Sequence, residues 1–215
     1  MNLQLFFQNL ANGISLGSLY ALIAIGYTMV YGILRFINFA HGEVIMLATY
    51  FAYFGIMLFS LPWWLSFIFA IVLTGILGMV IEKAAYKPLR ESPRITVLIS
   101  AIGVSFLIQN LCLVIFGGRP KAFHQPALFT KAISIGNIKI PSIMFITPVI
   151  AGVLLYIVNY LVNNTKTGMA MRAAAKDFDT AKLMGIDINR IISITFTLGS
   201  ALAAVYSLSV INSRS

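Results

Sequence analysis

The sequence predicts an all-α integral membrane protein, a polytopic bundle of about six transmembrane helices, on three observations. First, 60% of the 215 residues are hydrophobic and 10% charged, with a mean hydropathy of +0.93, far from the balance of a soluble domain. Second, apolar runs long enough to cross the bilayer recur six times, each near the ~20 residues that a helix needs to cross about 30 Å of hydrocarbon. Third, these runs lack the alternation of apolar and polar residues that a lipid-facing barrel strand shows, whereas helices satisfy their own backbone groups.

The first span is predicted over about residues 10–34. Gly13, Gly17 and Ala21 recur at four-residue spacing and put small residues on one face, where a second helix can approach closely. The preceding MNLQLFFQNL contains no Lys or Arg, so a removed signal peptide is not expected. The second span is predicted over 36–59, with a turn at 60–62, and the third over 63–81, opening on Trp63 and Trp64, whose rings suit a membrane interface. EKAAYKPLRESPR is a polar interruption before span four, 95–116. A connector with Gly117, Gly118, Pro120 and Pro126 follows, then span five from Pro141 to about 162. A second polar connector occupies 163–190, and span six covers 191–211.

Orientation follows from Lys and Arg, which are enriched in short cytoplasmic loops. With residues 82–94 inside, alternation places Arg35 and 163–190 inside as well. That side then holds ten basic residues (among them Lys83, Lys87, Arg90, Arg172 and Arg190) against five outside: Arg119, Lys121, Lys131, Lys139 and Arg214. Both ends of the chain are therefore expected outside.

Several chemistries are disfavoured. The net charge of +9 is spread over the ends of apolar runs and forms no nucleic-acid groove or stripe, so no nucleic-acid partner is expected. Cys112 is the single cysteine, which excludes an internal disulfide. His41 and His124 lie near opposite faces, and Asp177 and Asp179 point in different directions on a helix, so no metal site is expected. The sequence contains no G-x-S-x-G, H-E-x-x-H or G-x-x-x-x-G-K-[ST]; no catalytic residue is assigned, and no nucleotide is expected to bind this chain.

Two segments carry the functional reading. Between Gly168 and Gly185 strong helix formers predict one short helix, too polar to cross the membrane, with Gly185 as its stop. Ala174, Phe178 and Ala181 share one side, Arg172, Lys176 and Asp179 another. Such a helix lies on the membrane surface or docks into a partner; Phe178 is the expected docking side chain. In RFINFAHGE, Asn38 and His41 are expected to share a side of the second helix, with Glu43 turned away. Helix packing or gating hydrogen bonds are expected there, ahead of interfacial hydration or direct substrate contact.

GYTMVYGILRFINFAHGEVIMLATY (26–50) and TKTGMAMRAAAKDFDTAKLMGIDINRIISITFTLGSALAA (165–204) resemble the LivH-type permease family of bacterial branched-chain amino-acid ABC importers, over almost the whole chain. The resemblance implies one permease domain over 1–215 in the bacterial cell membrane. It also implies a second related permease subunit, two cytoplasmic ATPases that use the ATP, and an extracytoplasmic substrate-binding protein, besides membrane lipid. Gly168, Arg172, Ala175, Asp179 and Gly185 would then belong to an ATPase-coupling loop, while Asn38, His41, Gly42 and Glu43 belong to the related boundary string. Family members usually continue through further helices, so the chain is expected to be incomplete at its C terminus. The competing readings are a proton- or ion-coupled secondary transporter and a non-transporting structural membrane subunit.

Overall fold

The computed structural model describes residues 3–90, 92–119, 132–135, 138–141 and 143–211. His124, Lys121, Lys131, Pro120, Pro126 and Arg214 lie outside the described residues.

Helix α1 spans Leu3–Leu34, beginning before the predicted residue 10. It stops at Arg35, whose φ of 54° is left-handed and breaks the helix. The chain then bends through Asn38, whose Oδ1 accepts from the Ala40 amide at 3.1 Å, a local turn that asparagine favours over helix. Helix α2 therefore spans His41–Met57, 17 residues, and not the predicted 36–59. Asn38 lies in the bend, so it does not share a helix face with His41 as expected.

Helix α3, Trp63–Ile81, follows Pro62 and matches the predicted span. The segment read as a polar interruption continues it as a π-helical turn, Glu82–Tyr86, and a 3-10 turn, Lys87–Leu89. Helix α4 is Arg94–Phe116. Strands β1, Ala132–Ile135, and β2, Ile138–Pro141, form a short antiparallel hairpin in the connector; the membrane part is all-α. Helix α5, Ile143–Asn164, leads to two short helices, α6 at Lys166–Lys176 and α7 at Phe178–Leu183, and α8 is Ile188–Ile211.

Among the described residues five helical stretches are long and apolar enough to cross a membrane: Gln8–Leu34, Trp63–Leu89, Ile95–Phe116, Ile146–Asn164 and Ile188–Tyr206. The sixth predicted span, α2, has 17 residues, the short end of the roughly 17–25 that cross the hydrocarbon core. Its first residues are consumed by the bend.

Helices α1, α2 and α3 all pack on α8; α5 leans on α1, and α4 on α2. Half of the apolar stretch of α8 is buried against 11% for α5, so α8 is the central helix. A Cβ on Gly26 would lie 3.1 Å from the Gly199 carbonyl oxygen, and one on Gly78 2.0 Å from Ser200 Oγ. Small residues thus let α1 and α3 close onto α8. Gly13 and Gly17 do not take this part: both are exposed, and an added Cβ there meets nothing within 4 Å. The close crossing occurs at Gly26, further along α1.

The core runs to the end of the bundle that carries the bend. There Val30, Val44, Tyr86, Met171, Ile192 and Phe196 form one buried cluster. Tyr86 stacks on Phe196 with ring centroids 5.2 Å apart and lies 5.1 Å from the Phe36 ring.

Candidate functional site

The turn from α5 into α6 is built by three residues. Thr165 Oγ1 donates to the Leu161 carbonyl at 2.5 Å and accepts the Gly168 amide at 3.0 Å, capping α6. Gly168 is buried, and a Cβ there would lie 2.2 Å from the Leu161 oxygen and 2.3 Å from the Val162 oxygen. Arg172 donates back to the Val162 carbonyl and to Asn163 Oδ1, closing the end of α5, where unpaired carbonyls favour a cation. Gly168 and Arg172 are therefore the inner and outer halves of one elbow.

The single helix expected between Gly168 and Gly185 is two helices. Asp177 takes an extended backbone, φ −156° and ψ 118°, between them. Its Oδ2 accepts from the Thr180 hydroxyl at 2.5 Å and its Oδ1 from the Asp179 amide at 2.9 Å. An aspartate that caps the next helix competes with continuing the last one. The Thr180 hydroxyl, then the Asp179 and Thr180 amides, hold the exposed Asp177 carboxyl below the usual carboxylate range. Gly185 ends α7 as expected, at φ 81°. Its amide donates to the Lys182 carbonyl at 3.0 Å, and the Ile186 amide to the Ala181 carbonyl at 3.1 Å, a Schellman closure.

The apolar side of this segment is divided. Ala174 and Ala181 are buried against the bundle, so they do not form an outward docking face. Phe178 is 37% exposed, while Leu183 and Met184 stand out at 88% and 79%. Arg172, Lys176 and Asp179 are exposed. Sequence reasoning missed Leu183 and Met184, although two large apolar residues directly before a helix-stopping glycine are a legible signal. The Ala175 carbonyl accepts from Arg35 Nη2 at 2.9 Å, so the helix end is tied to the bend after α1. That bond also puts Arg35 and the 163–190 connector at one end of the bundle, as the charge distribution predicts.

The RFINFAHGE residues face three neighbours. Asn38 Oδ1 accepts from Tyr86 Oη at 2.7 Å, joining the bend to the π turn. His41 is 4% exposed; its ring fills the space beside Gly26 at the α1–α8 crossing and meets Tyr27 edge-on at 6.0 Å. Glu43 Oε1 accepts from Ser105 Oγ of α4 at 3.2 Å. Gly42 is exposed with open space around it.

A cluster that the sequence reading left inside a polar loop completes this end. Glu82 is fully buried; it pairs with Arg90 through Oε1 and accepts from Ser193 Oγ through Oε2 at 2.7 Å. Arg90 also donates to Asn189 Oδ1. A buried carboxylate needs such partners on both oxygens. The available signal was spacing: Glu82 directly follows an apolar run and is trailed by Lys83, Lys87 and Arg90. Among the described residues no group of three or more His, Cys, Asp or Glu could hold a metal ion.

Residues 9–213 match the family described as "Branched-chain amino acid transport system / permease component". The chain belongs to this family. Among its relatives, "High-affinity branched-chain amino acid transport system permease protein LivH" of Escherichia coli (strain K12) is 39% identical, the match covering 93% of this chain and 68% of that protein. The permease protein BraD of Pseudomonas aeruginosa, from a system given the same description, is 40% identical over 93% of this chain and 69% of its own length. A "Probable branched-chain amino acid transport permease protein LivH" of Methanocaldococcus jannaschii is 25% identical over 91% and 63%. No solved structure matches the chain. A permease component is a transport subunit and not an enzyme, and it works within a transporter complex of several subunits. The apolar helices and the family together make this chain a multi-pass protein of the bacterial cell membrane.

Proposed function

We propose that this permease forms, with a second related permease subunit, the transmembrane pathway of an ATP-driven importer for branched-chain amino acids or related small polar substrates. An extracytoplasmic binding protein delivers the substrate, two cytoplasmic ATPases consume the ATP, and this chain itself binds no nucleotide. The observation that carries the reading is the α6–α7 segment. It is anchored to the bundle at the Gly168 elbow, by Arg35 on Ala175 and by buried Ala174 and Ala181, yet it presents Leu183 and Met184 to the outside. An anchored projection with exposed apolar tips suits docking into a partner groove, because a few buried side chains dominate such contacts.

On this reading the tips seat in an ATPase, Phe178 and Asp179 flank them, and closure of the ATPases moves the segment. The bundle then alternates its access between the two faces. The secondary-transporter reading has less support, since His41 and Glu43 face different neighbours and form no relay with each other.

The test is Leu183→Asp in the complete, membrane-inserted complex. ATPase association is expected to weaken about tenfold or more, and ATP-driven uptake to fall with it, while the chain still inserts. Phe178→Ala is expected to do the same more weakly. Unchanged association and uptake in Leu183→Asp contradict the docking role.

A further inference from the structure

Three separate ties converge on the π-helical turn Glu82–Tyr86. From the bend between α1 and α2, Asn38 accepts the Tyr86 hydroxyl at 2.7 Å; the same bend carries Arg35, whose guanidinium caps the Ala175 carbonyl at the end of α6. From α8, Ser193 donates to Glu82 at 2.7 Å. From the residue that follows the 3-10 turn, Arg90 pairs with Glu82 and reaches Asn189, in the first turn of α8. The connector is thus tied to the π turn at two places, through Arg35 and Asn38 at the α6–α7 junction and through Asn189 and Arg90 where the connector runs into α8.

The turn has packed core on one side and a cavity on the other. Tyr86 and Glu82 are buried, Tyr86 between Phe36 and Phe196. Next to them a cavity of about 630 Å³ opens between the turn and α7, bounded by Arg35, Tyr86, Arg90, Phe178, Asp187 and Asn189. The α7 side of the segment therefore has room to shift, whereas the polar ties hold. A π turn interrupts regular helical bonding and is a recurrent feature of functional positions in helices.

We infer that the Glu82–Tyr86 turn is the joint through which movement of the α6–α7 segment reaches the bundle, with Tyr86 and Glu82 as its positioning residues. Movement of the segment pulls the bend through Arg35 and the start of α8 through Asn189. The turn makes the two displacements one, because Asn38 on the bend and Ser193 on α8 are both held by it. Helices α1, α2, α3 and α8 then change together. This rests on the coupling reading given above.

The experiment uses the chain reconstituted with its partner subunits in liposomes, measuring ATP hydrolysis, amino-acid uptake and the amount of assembled complex for Tyr86→Phe, Ser193→Ala and Glu82→Gln. Tyr86→Phe and Ser193→Ala each remove one hydroxyl and keep the packing, so they report even where Glu82→Gln fails to assemble. The expected result is normal assembly and continued hydrolysis with uptake per ATP lowered about two- to thirtyfold, the range for couplings carried by connected networks. Uptake per ATP that stays normal in both hydroxyl variants overturns the joint. So does a fall in uptake and hydrolysis together, in proportion to lost complex, which marks a purely structural role. Failure of the docking reading is separate: it shows as unaltered coupling in Leu183→Asp, or as uptake by the unmodified complex without ATP.

Discussion

Gly168 has no room for a side chain, because the backbone of α5 occupies the place of its Cβ. Gly168→Ala must push the elbow apart, and overpacking of this kind costs about 1–3 kcal/mol, read as a lower unfolding midpoint in detergent. Gly42→Ala is the control: open space surrounds it in the first turn of α2, so that variant is expected to be neutral or to gain up to about 1 kcal/mol from helix propensity. Equal losses in both variants contradict the elbow. At Asp177 the bonds to Thr180 and Asp179 lower the carboxyl pKa in the folded protein. Its contribution to α7 is therefore present above the ordinary carboxylate range and is lost as pH falls through the lowered value. Asp177→Asn keeps an acceptor that does not titrate, and acid-induced fraying of 178–183, followed by hydrogen exchange, is expected to lose its pH dependence there. Fraying with an unchanged pH profile counts against the cap. Both residues are legible in the sequence, but their mechanisms are not: Gly168 marks only the start of a predicted short helix, and Asp177 and Asp179 read as two charges on that helix, where Asp177 in fact caps a second one. Glu82 was hard to read for a different reason: Arg90 is near in sequence, but Ser193, which satisfies the other carboxylate oxygen and shows the group to be buried against α8, is 111 residues away.

Among the elements, α1, α3, α4, α5 and α8 follow the apolar runs because run length alone decides a membrane helix. α3 agrees at both ends with its predicted limits. The departures are local and polar. Arg35 and Asn38 shorten α2, Asp177 splits the cytoplasmic helix, and Glu82 to Tyr86 form a π turn after α3 where a polar interruption was expected. Each is a backbone decision taken by one or two side chains, to which a hydropathy pattern is blind. Arg35 offers a test at this scale. Arg35→Gly removes the left-handed strain, worth about 1–2 kcal/mol, but it also removes the cap on Ala175. The bundle is expected to keep its stability while hydrogen exchange at the end of α6 rises. Slower or unchanged exchange there contradicts the tie between the bend and the segment.

At the scale of the molecule, α8 is the axis onto which α1, α2 and α3 close, and the ties around the π turn bind the basic end of that axis to the α6–α7 segment. The outer faces of α4 and α5 expose large apolar side chains such as Leu107, Val114 and Tyr156, surfaces for lipid or for a neighbouring subunit. The central claim is that the basic end lies in the cytoplasm and offers its apolar tips to an ATPase. It is tested most directly by a cysteine placed at Leu183 in a Cys112→Ser background, probed with a membrane-impermeant maleimide. Labelling is expected in inverted vesicles, none in right-side-out vesicles, and protection when the ATPase subunit is bound. Labelling from the right-side-out face, or labelling that the bound ATPase leaves untouched, contradicts it.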